Sequence, residues 1–229
     1  MFKINIISKN QDYVVINKPA GLLVHPAPHS QEKTLVDFLL EKYSEIKNVG
    51  DDPQRPGIVH RLDKEVSGLL VVTLNQTMFT NLKEQFQTHQ ILKEYQALVY
   101  GQVKDDQGII NLAIGRSTKN FGQMSVNTLK DLKPALTEYQ VEQRFKNYTL
   151  LKVRIKTGRT HQIRLHLKEL GYPIVGDSIY TFKKFKNKTD LNRIFLHSYH
   201  LGLNDLKNEW QEFKIDLPIE LQDFLNIIK

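Results

Sequence analysis

The chain has 229 residues, 40% of them hydrophobic and 25% charged, and contains no cysteine. That length and balance suit a globular protein with a sizeable core, and they exclude an extended disordered chain, a disulfide scaffold, a thiolate nucleophile and a cysteine-bound metal. Thirty-two Lys and Arg against 25 Asp and Glu leave a formal charge of +7, which favours a polyanionic partner such as nucleic acid without requiring one.

Met1-Phe2-Lys3-Ile4-Asn5-Ile6-Ile7 reads as a first strand. It lacks the apolar segment and small-residue cleavage site of a secretion signal, so a cytoplasmic protein is expected. No apolar run approaches the length of a membrane span, and 68–74 is among the longest. Residues 12–21 read as a strand entering a Pro/Gly turn, and Pro26-Ala27-Pro28 keeps the next stretch irregular. Leu35, Phe38, Leu39 and Lys42 recur at helical spacing behind Thr34, which is placed to cap a helix over 34–43. A polar, Pro-containing loop over 48–56 leads to a strand over 68–74. Asn75 then caps a helix to about residue 88 with Met78, Phe79, Leu82 and Phe86 on one side. Strands are expected over 92–101, 108–114, 135–145, 148–156, 195–203 and 211–216, with a closing helix from Ile219. There is no repeat and no linker, so 1–229 is expected as a single domain. Strands in succession with few helices between them point to an α+β fold with a mixed, mainly antiparallel sheet.

Three segments carry chemistry. In His60-Arg61-Leu62-Asp63-Lys64 a carboxylate sits in a turn between two apolar runs, flanked by His60, Arg61 and Lys64. Such cations favour the ionised form, and the carboxylate is then a weak but usable nucleophile. It is equally suited to a plain turn role. Over 156–167, Thr160 is placed to cap a helix that Gly171 and Pro173 end; Ile163, Leu167 and Leu170 form its apolar stripe, and His161, Arg164 and Lys168 form a basic side. A basic helix start suits phosphate or carboxylate. Arg164 lies nearer the apolar stripe, where a guanidinium needs a buried acid. In Lys93-Glu94-Tyr95, Tyr95 is either core or a flat surface for a base, worth about 1 to 3 kcal/mol in stacking. The chain has no GxGxxG, GxxxxGK[ST], GxSxG or HExxH motif, and neither His161 with His166 nor His197 with His200 has persuasive metal spacing, so no metal is expected.

Taken together and in order, His60-Arg61-Leu62-Asp63 with Ser67-Gly68, Lys93-Glu94-Tyr95 with Gly101, and Gly158-Arg159-Thr160-His161-Gln162-Ile163-Arg164 with Gly176-Asp177 resemble the RluA-like family of RNA pseudouridine synthases. So do Asn17-Lys18-Pro19-Ala20-Gly21, Val24-His25-Pro26 and Leu196-His197-Ser198; the similarity spans roughly residues 10–217. The resemblance implies a pseudouridine synthase fold with a bifurcated central sheet, and isomerisation of uridine in RNA with neither metal nor organic cofactor. It implies that Asp63 is the catalytic carboxylate, that Tyr95 stacks on the flipped uracil, and that Arg164 pairs with Asp63. Arg61 would help extrude the target nucleotide, Leu196 would lie beneath the uracil, and His60, Arg159 and His161 are further candidate RNA contacts. Val66 stands where the family usually has Thr. The chain starts at the catalytic domain, without the S4-type RNA-binding domain of several relatives, so a monomer selecting RNA through its own surface is expected. Lys183, Lys184, Lys186 and Lys188 are either a phosphate grip or a solvated loop. Large-subunit (23S) rRNA is the expected substrate, with tRNA the alternative; a catalytically idle RNA-binding or assembly factor and an N-glycosidase are the rival classes.

Overall fold

The computed structural model describes residues 4–26, 32–120, 122–128, 130–186 and 188–229. In chain order the elements are β1 (Asn5–Lys9), β2 (Tyr13–Lys18), α1 (Leu35–Lys42), β3 (Ser67–Thr73), α2 (Gln76–Gln87), β4 (Leu92–Tyr100), β5 (Gln107–Asn111), β6 (Gly115–Arg116), β7 (Met124–Ser125), β8 (Leu136–Arg144), β9 (Tyr148–Ile155), α3 (Gln162–Glu169), β10 (Leu196–Asn204), β11 (Trp210–Lys214) and α4 (Ile219–Ile227). This is the mixed α+β, mainly antiparallel fold expected. Met1, Phe2 and Lys3 of the expected first strand, and Ala27 and Pro28, lie outside the described residues.

The chain divides into two compact units, Met1–Leu92 with Ser198–Ile215 and Lys93–His197 with Asp216–Lys229. In the first, β1, β2, β3 and β10 run in that order, with β11 on β10; the β1–β2, β2–β3 and β10–β11 pairs are antiparallel. All of β3 is buried, which explains its unbroken apolar run. Tyr13, Val15, Leu69, Val71, Met78, Leu82, Leu201 and Leu203 form one core, with Phe86 packed against it. The two caps expected in this unit form. Thr34 precedes α1 and gives both its backbone N–H and its hydroxyl to the Asp37 carboxylate, at 2.7 and 2.8 Å. Asn75 accepts the Met78 N–H at 2.9 Å.

In the second unit the order is β4, β9, β8, β5, again antiparallel in each pair. The short β6–β7 pair has no alternating pattern to announce it. A 3-10 turn over Lys183–Phe185 forms where sequence reading finds only a basic run. Phe185 stacks on Tyr100 with centroids 4.3 Å apart, so an aromatic contact settles the chain there.

Gly68, at the entry to β3, has φ +124°, and a Cβ on it would lie 2.2 Å from the Ser198 carbonyl oxygen of the neighbouring β10 backbone. A side chain is strained there by both dihedral and contact. Gly68→Ala is expected to cost about 2 kcal/mol or more in urea unfolding. Gly158→Ala, where a Cβ meets nothing within 4 Å, is the control and should leave stability nearly unchanged.

Candidate active site

Asp63 lies half-buried in the loop between the Ile58–Val72 bridge and β3, and its carbonyl accepts the Val66 N–H at 3.1 Å, closing a turn. A fully buried cation holds that turn. The Lys18 ammonium, at the end of β2, donates to the carbonyl oxygens of Pro19 (3.0 Å), Leu22 (2.8 Å) and Lys64 (3.2 Å), and the Gly21 N–H donates to the same Lys64 oxygen at 2.7 Å. Lys18-Pro19-Ala20-Gly21 and the residue after Asp63 are thus one hydrogen-bonded body. Pattern alone makes the former a strand running into a turn; a lysine inside such a run is the available signal, because a buried ammonium needs acceptors.

The three basic residues flanking Asp63 have partners of their own. The His60 ring stacks on Phe86, with centroids 4.8 Å apart, and its Nε2 accepts the Val71 N–H at 3.0 Å. That makes His60 a bracket for the start of β3. Lys64 pairs with Glu32 at 2.7 Å. Arg61 is exposed, and its Nη1 donates to His25 Nε2 at 3.1 Å.

In the second unit Tyr95 is buried on β4, opposite Val153 of β9. Strand alternation puts Lys93 on the same face as Tyr95. Lys93 is itself buried, and burial pushes its ammonium down to about 8. Leu196 is buried at the start of β10.

The region over 156–170 departs from expectation at its start. Thr160 does not cap the helix; His161 does, with φ +56° and no side-chain cap bond. The Gln162 side chain ties the loop down instead. Its Oε1 accepts from the Thr157 hydroxyl (2.8 Å) and the Arg159 N–H (3.0 Å), and its Nε2 donates to the Leu136 carbonyl and the Thr137 hydroxyl, both at 3.0 Å. The helix ends as expected: Gly171 has φ +98°, and the N–H groups of Gly171 and Tyr172 return to the carbonyls of Lys168 and Leu167. Of the expected basic side Arg164 is buried while His161 and Lys168 are half-buried, and Leu170 of the expected apolar stripe is exposed. Gln162, Ile163, Arg164, Leu165, His166 and Leu167 are all buried, so the covered part of the helix is wider than one stripe.

Arg164 has the buried acid its position demands, and that acid is Asp177. Arg164 Nε and Nη2 donate to Asp177 Oδ2 and Oδ1 at 2.8 and 2.9 Å, and both side chains are sealed from water. The Ile179 and Tyr180 N–H groups also donate to Oδ1, at 2.8 and 2.9 Å. Burial alone would raise the Asp177 carboxyl, but the Arg164 fork and these two N–H groups outweigh it and hold it below the usual 3.8. Arg164 lies over the Tyr180 ring, 5.4 Å from the centroid, and the Tyr180 hydroxyl meets His161 Nδ1 at 2.9 Å. His161 and Arg164 are therefore brought together through Tyr180. Arg159 is turned back, its Nε donating to the Pro134 carbonyl at 3.0 Å. Among the described residues no group of His, Asp and Glu could hold a metal ion, and no helix is long and apolar enough to cross a membrane.

The family model for RNA pseudouridylate synthase matches residues 12–169. An uncharacterized RNA pseudouridine synthase of Aquifex aeolicus is 44% identical over 94% of this chain and 70% of its own length, and one of Chloroflexus aurantiacus is 45% identical over 90% and 63%. The ribosomal large subunit pseudouridine synthase D of Buchnera aphidicola is 37% identical over 97% of this chain and 72% of its own. Among solved structures, human RNA pseudouridylate synthase domain containing 1 superposes with a TM-score of 0.77 at 26% identity, covering 94% of this chain and 84% of that one. The chain belongs to the RNA pseudouridylate synthase family, the family its motifs resemble, and is thus an RNA-modifying enzyme of the isomerase class.

Replacing Asp177 by Asn removes the charged half of the buried fork with Arg164. Urea unfolding at pH 7 should show a loss of about 3 to 5 kcal/mol. Because the folded carboxyl sits below its ordinary 3.8, its contribution is complete above that value and is lost as pH falls through the folded pKa. The gap between wild type and variant should therefore narrow in acid.

Proposed function

We propose that the protein converts uridine to pseudouridine at specific sites of large-subunit (23S) rRNA, that 1–229 works as one cytoplasmic, monomeric catalytic domain, and that Asp63 is the group that attacks. The observation that carries the reading is the family match over 12–169, which includes Asp63, Tyr95 and Arg164 within the motifs that resemble the family. The rRNA target rests on the printed names of relatives: the Borreliella burgdorferi protein, 38% identical over 97% of this chain, is likewise a ribosomal large subunit pseudouridine synthase D.

In this reading the Asp63 carboxylate attacks ribose C1′ or uracil C6, or assists a glycal route. In each case the C1′–N1 bond breaks, the ring turns, the C1′–C5 bond forms, and the proton at C5 leaves while N1 gains one. Atoms and electrons balance with no added reactant. Tyr95 stacks on the extruded uracil. Arg164, as the resemblance implies, keeps the attacking carboxylate ionised, and Asp177 fixes its guanidinium through Nε and Nη2. Arg61 and Leu196 hold the displaced nucleotide and the base, and His161 and Arg159 contribute to RNA contact. The Lys93 ammonium adds a positive charge on the Tyr95 face of β4. The lysines over 183–188 are held up by Phe185 on Tyr100, and in this reading they meet phosphates.

The test uses rRNA tritiated at uridine C5. Wild type should release tritium without releasing uracil, and Asp63→Asn should lower kcat by about 10³-fold or more while leaving RNA affinity nearly intact, since affinity rests on phosphate contacts. Free uracil would identify a glycosidase, and neither product an idle RNA-binding factor. Turnover by the Asn variant would remove Asp63 from the role.

A further inference from the structure

His25 stands in none of these roles, yet it is buried and bonded on both ring nitrogens. Its Nδ1 lies 2.9 Å from the Pro26 carbonyl oxygen and its Nε2 lies 3.1 Å from Arg61 Nη1. A carbonyl oxygen only accepts, so Nδ1 carries the proton. A guanidinium only donates, so Nε2 presents a lone pair. The partners thus fix a neutral ring of one tautomer. From this geometry we infer that His25 is a positioning residue for Arg61: its neutral Nε2 holds the guanidinium beside the Asp63 turn in the orientation in which Arg61 meets the displaced nucleotide.

The inference rests on the role proposed for Arg61, and it adds the part that aims it. Arg61 is exposed and on a long side chain, and would otherwise sample many rotamers before RNA arrives. An orientation fixed in the free protein removes that ordering from the binding and extrusion steps. Only one of the five guanidinium N–H groups is used on His25, which leaves others for phosphate or base. The arrangement is also conditional. A proton on Nε2 would remove the acceptor and set two positive groups 3.1 Å apart. Burial first, and then the charges of Arg61 and Arg55, oppose that protonation and push His25 below the ordinary 6.5, against the Pro26 carbonyl bond and Asp52, which act the other way. Arg61 is therefore held throughout the neutral range and released only in acid.

Two measurements on the full chain test this. Nitrogen-15 NMR of the free protein should find His25 as the Nδ1–H tautomer at pH 7.5, titrating below 6.5, and its titration should move upward in Arg61→Ala. The Nε2–H tautomer, or a titration indifferent to Arg61, overturns the inference whether or not the protein makes pseudouridine. In turnover on rRNA, His25→Leu should lower kcat/KM by about tenfold, and the same change made on Arg61→Ala should do little more. His25→Gln, which keeps an acceptor and a donor but cannot titrate, should restore most of the loss and remove the acid limb contributed by His25. An equal loss from His25→Leu with and without Arg61, or no rescue by Gln, makes the residue merely structural. Absence of turnover in the wild type, with the NMR result intact, would instead sink the proposed function.

Discussion

Lys18 is fully buried, and its ammonium gives hydrogen bonds to three carbonyl oxygens, of Pro19, Leu22 and Lys64. An ammonium withdrawn from water is strongly destabilising unless each proton finds an acceptor, and carbonyls supply acceptors without adding a charge that would compete for the site. Two of these oxygens belong to the turn that follows β2 and one to the residue after Asp63, so a single cation fastens two loops that lie forty-odd residues apart in sequence. The half-buried carboxylate then sits in a stretch of backbone tied on both sides along the chain: before it by the His60 ring, which stacks on Phe86 and accepts the Val71 N–H, and after it by Lys18 on the Lys64 carbonyl. The basic residues on either side of the carboxylate have partners of their own, since Arg61 reaches His25 and Lys64 reaches Glu32.

The same rule governs the helix that carries Arg164. Sequence periodicity divides a helix into an apolar stripe and a polar side only where one side meets water. Here six consecutive residues, 162–167, are buried, and the polar ones among them have to be satisfied from within. Arg164 is satisfied by Asp177, and His166 by the Thr137 side chain and the Leu112 carbonyl, each at 2.9 Å. Gln162, which no pattern singles out, closes the loop before the helix with four hydrogen bonds and leaves His161 to turn the corner in a left-handed conformation.

Much of the architecture is legible in the sequence because it rests on local rules. The β3 run of Leu69, Leu70, Val71 and Val72, the Asn75 cap and the Gly171 terminator each declare themselves within a few residues. So does the need of Arg164 for a buried acid, which is a statement about dielectric and not about fold. The hidden parts depend on partners distant in sequence. Asp177 is thirteen residues beyond Arg164, and Tyr180 is placed by that aspartate; nothing in the intervening Gly and Pro residues states the pairing. Likewise His60, a cation beside Asp63 when read along the chain, is a ring on Phe86, because the contact that decides its role comes from a helix whose packing face is known only once the sheet exists.

The sealed Arg164–Asp177 pair constrains how this chain can drift over evolutionary time. Each partner alone is intolerable in the interior, so any path through single replacements must cross a poorly folding intermediate. The two positions are therefore expected to change together or not at all. A lysine in place of Arg164 offers no way round, because an ammonium cannot reproduce the two parallel bonds of the guanidinium fork.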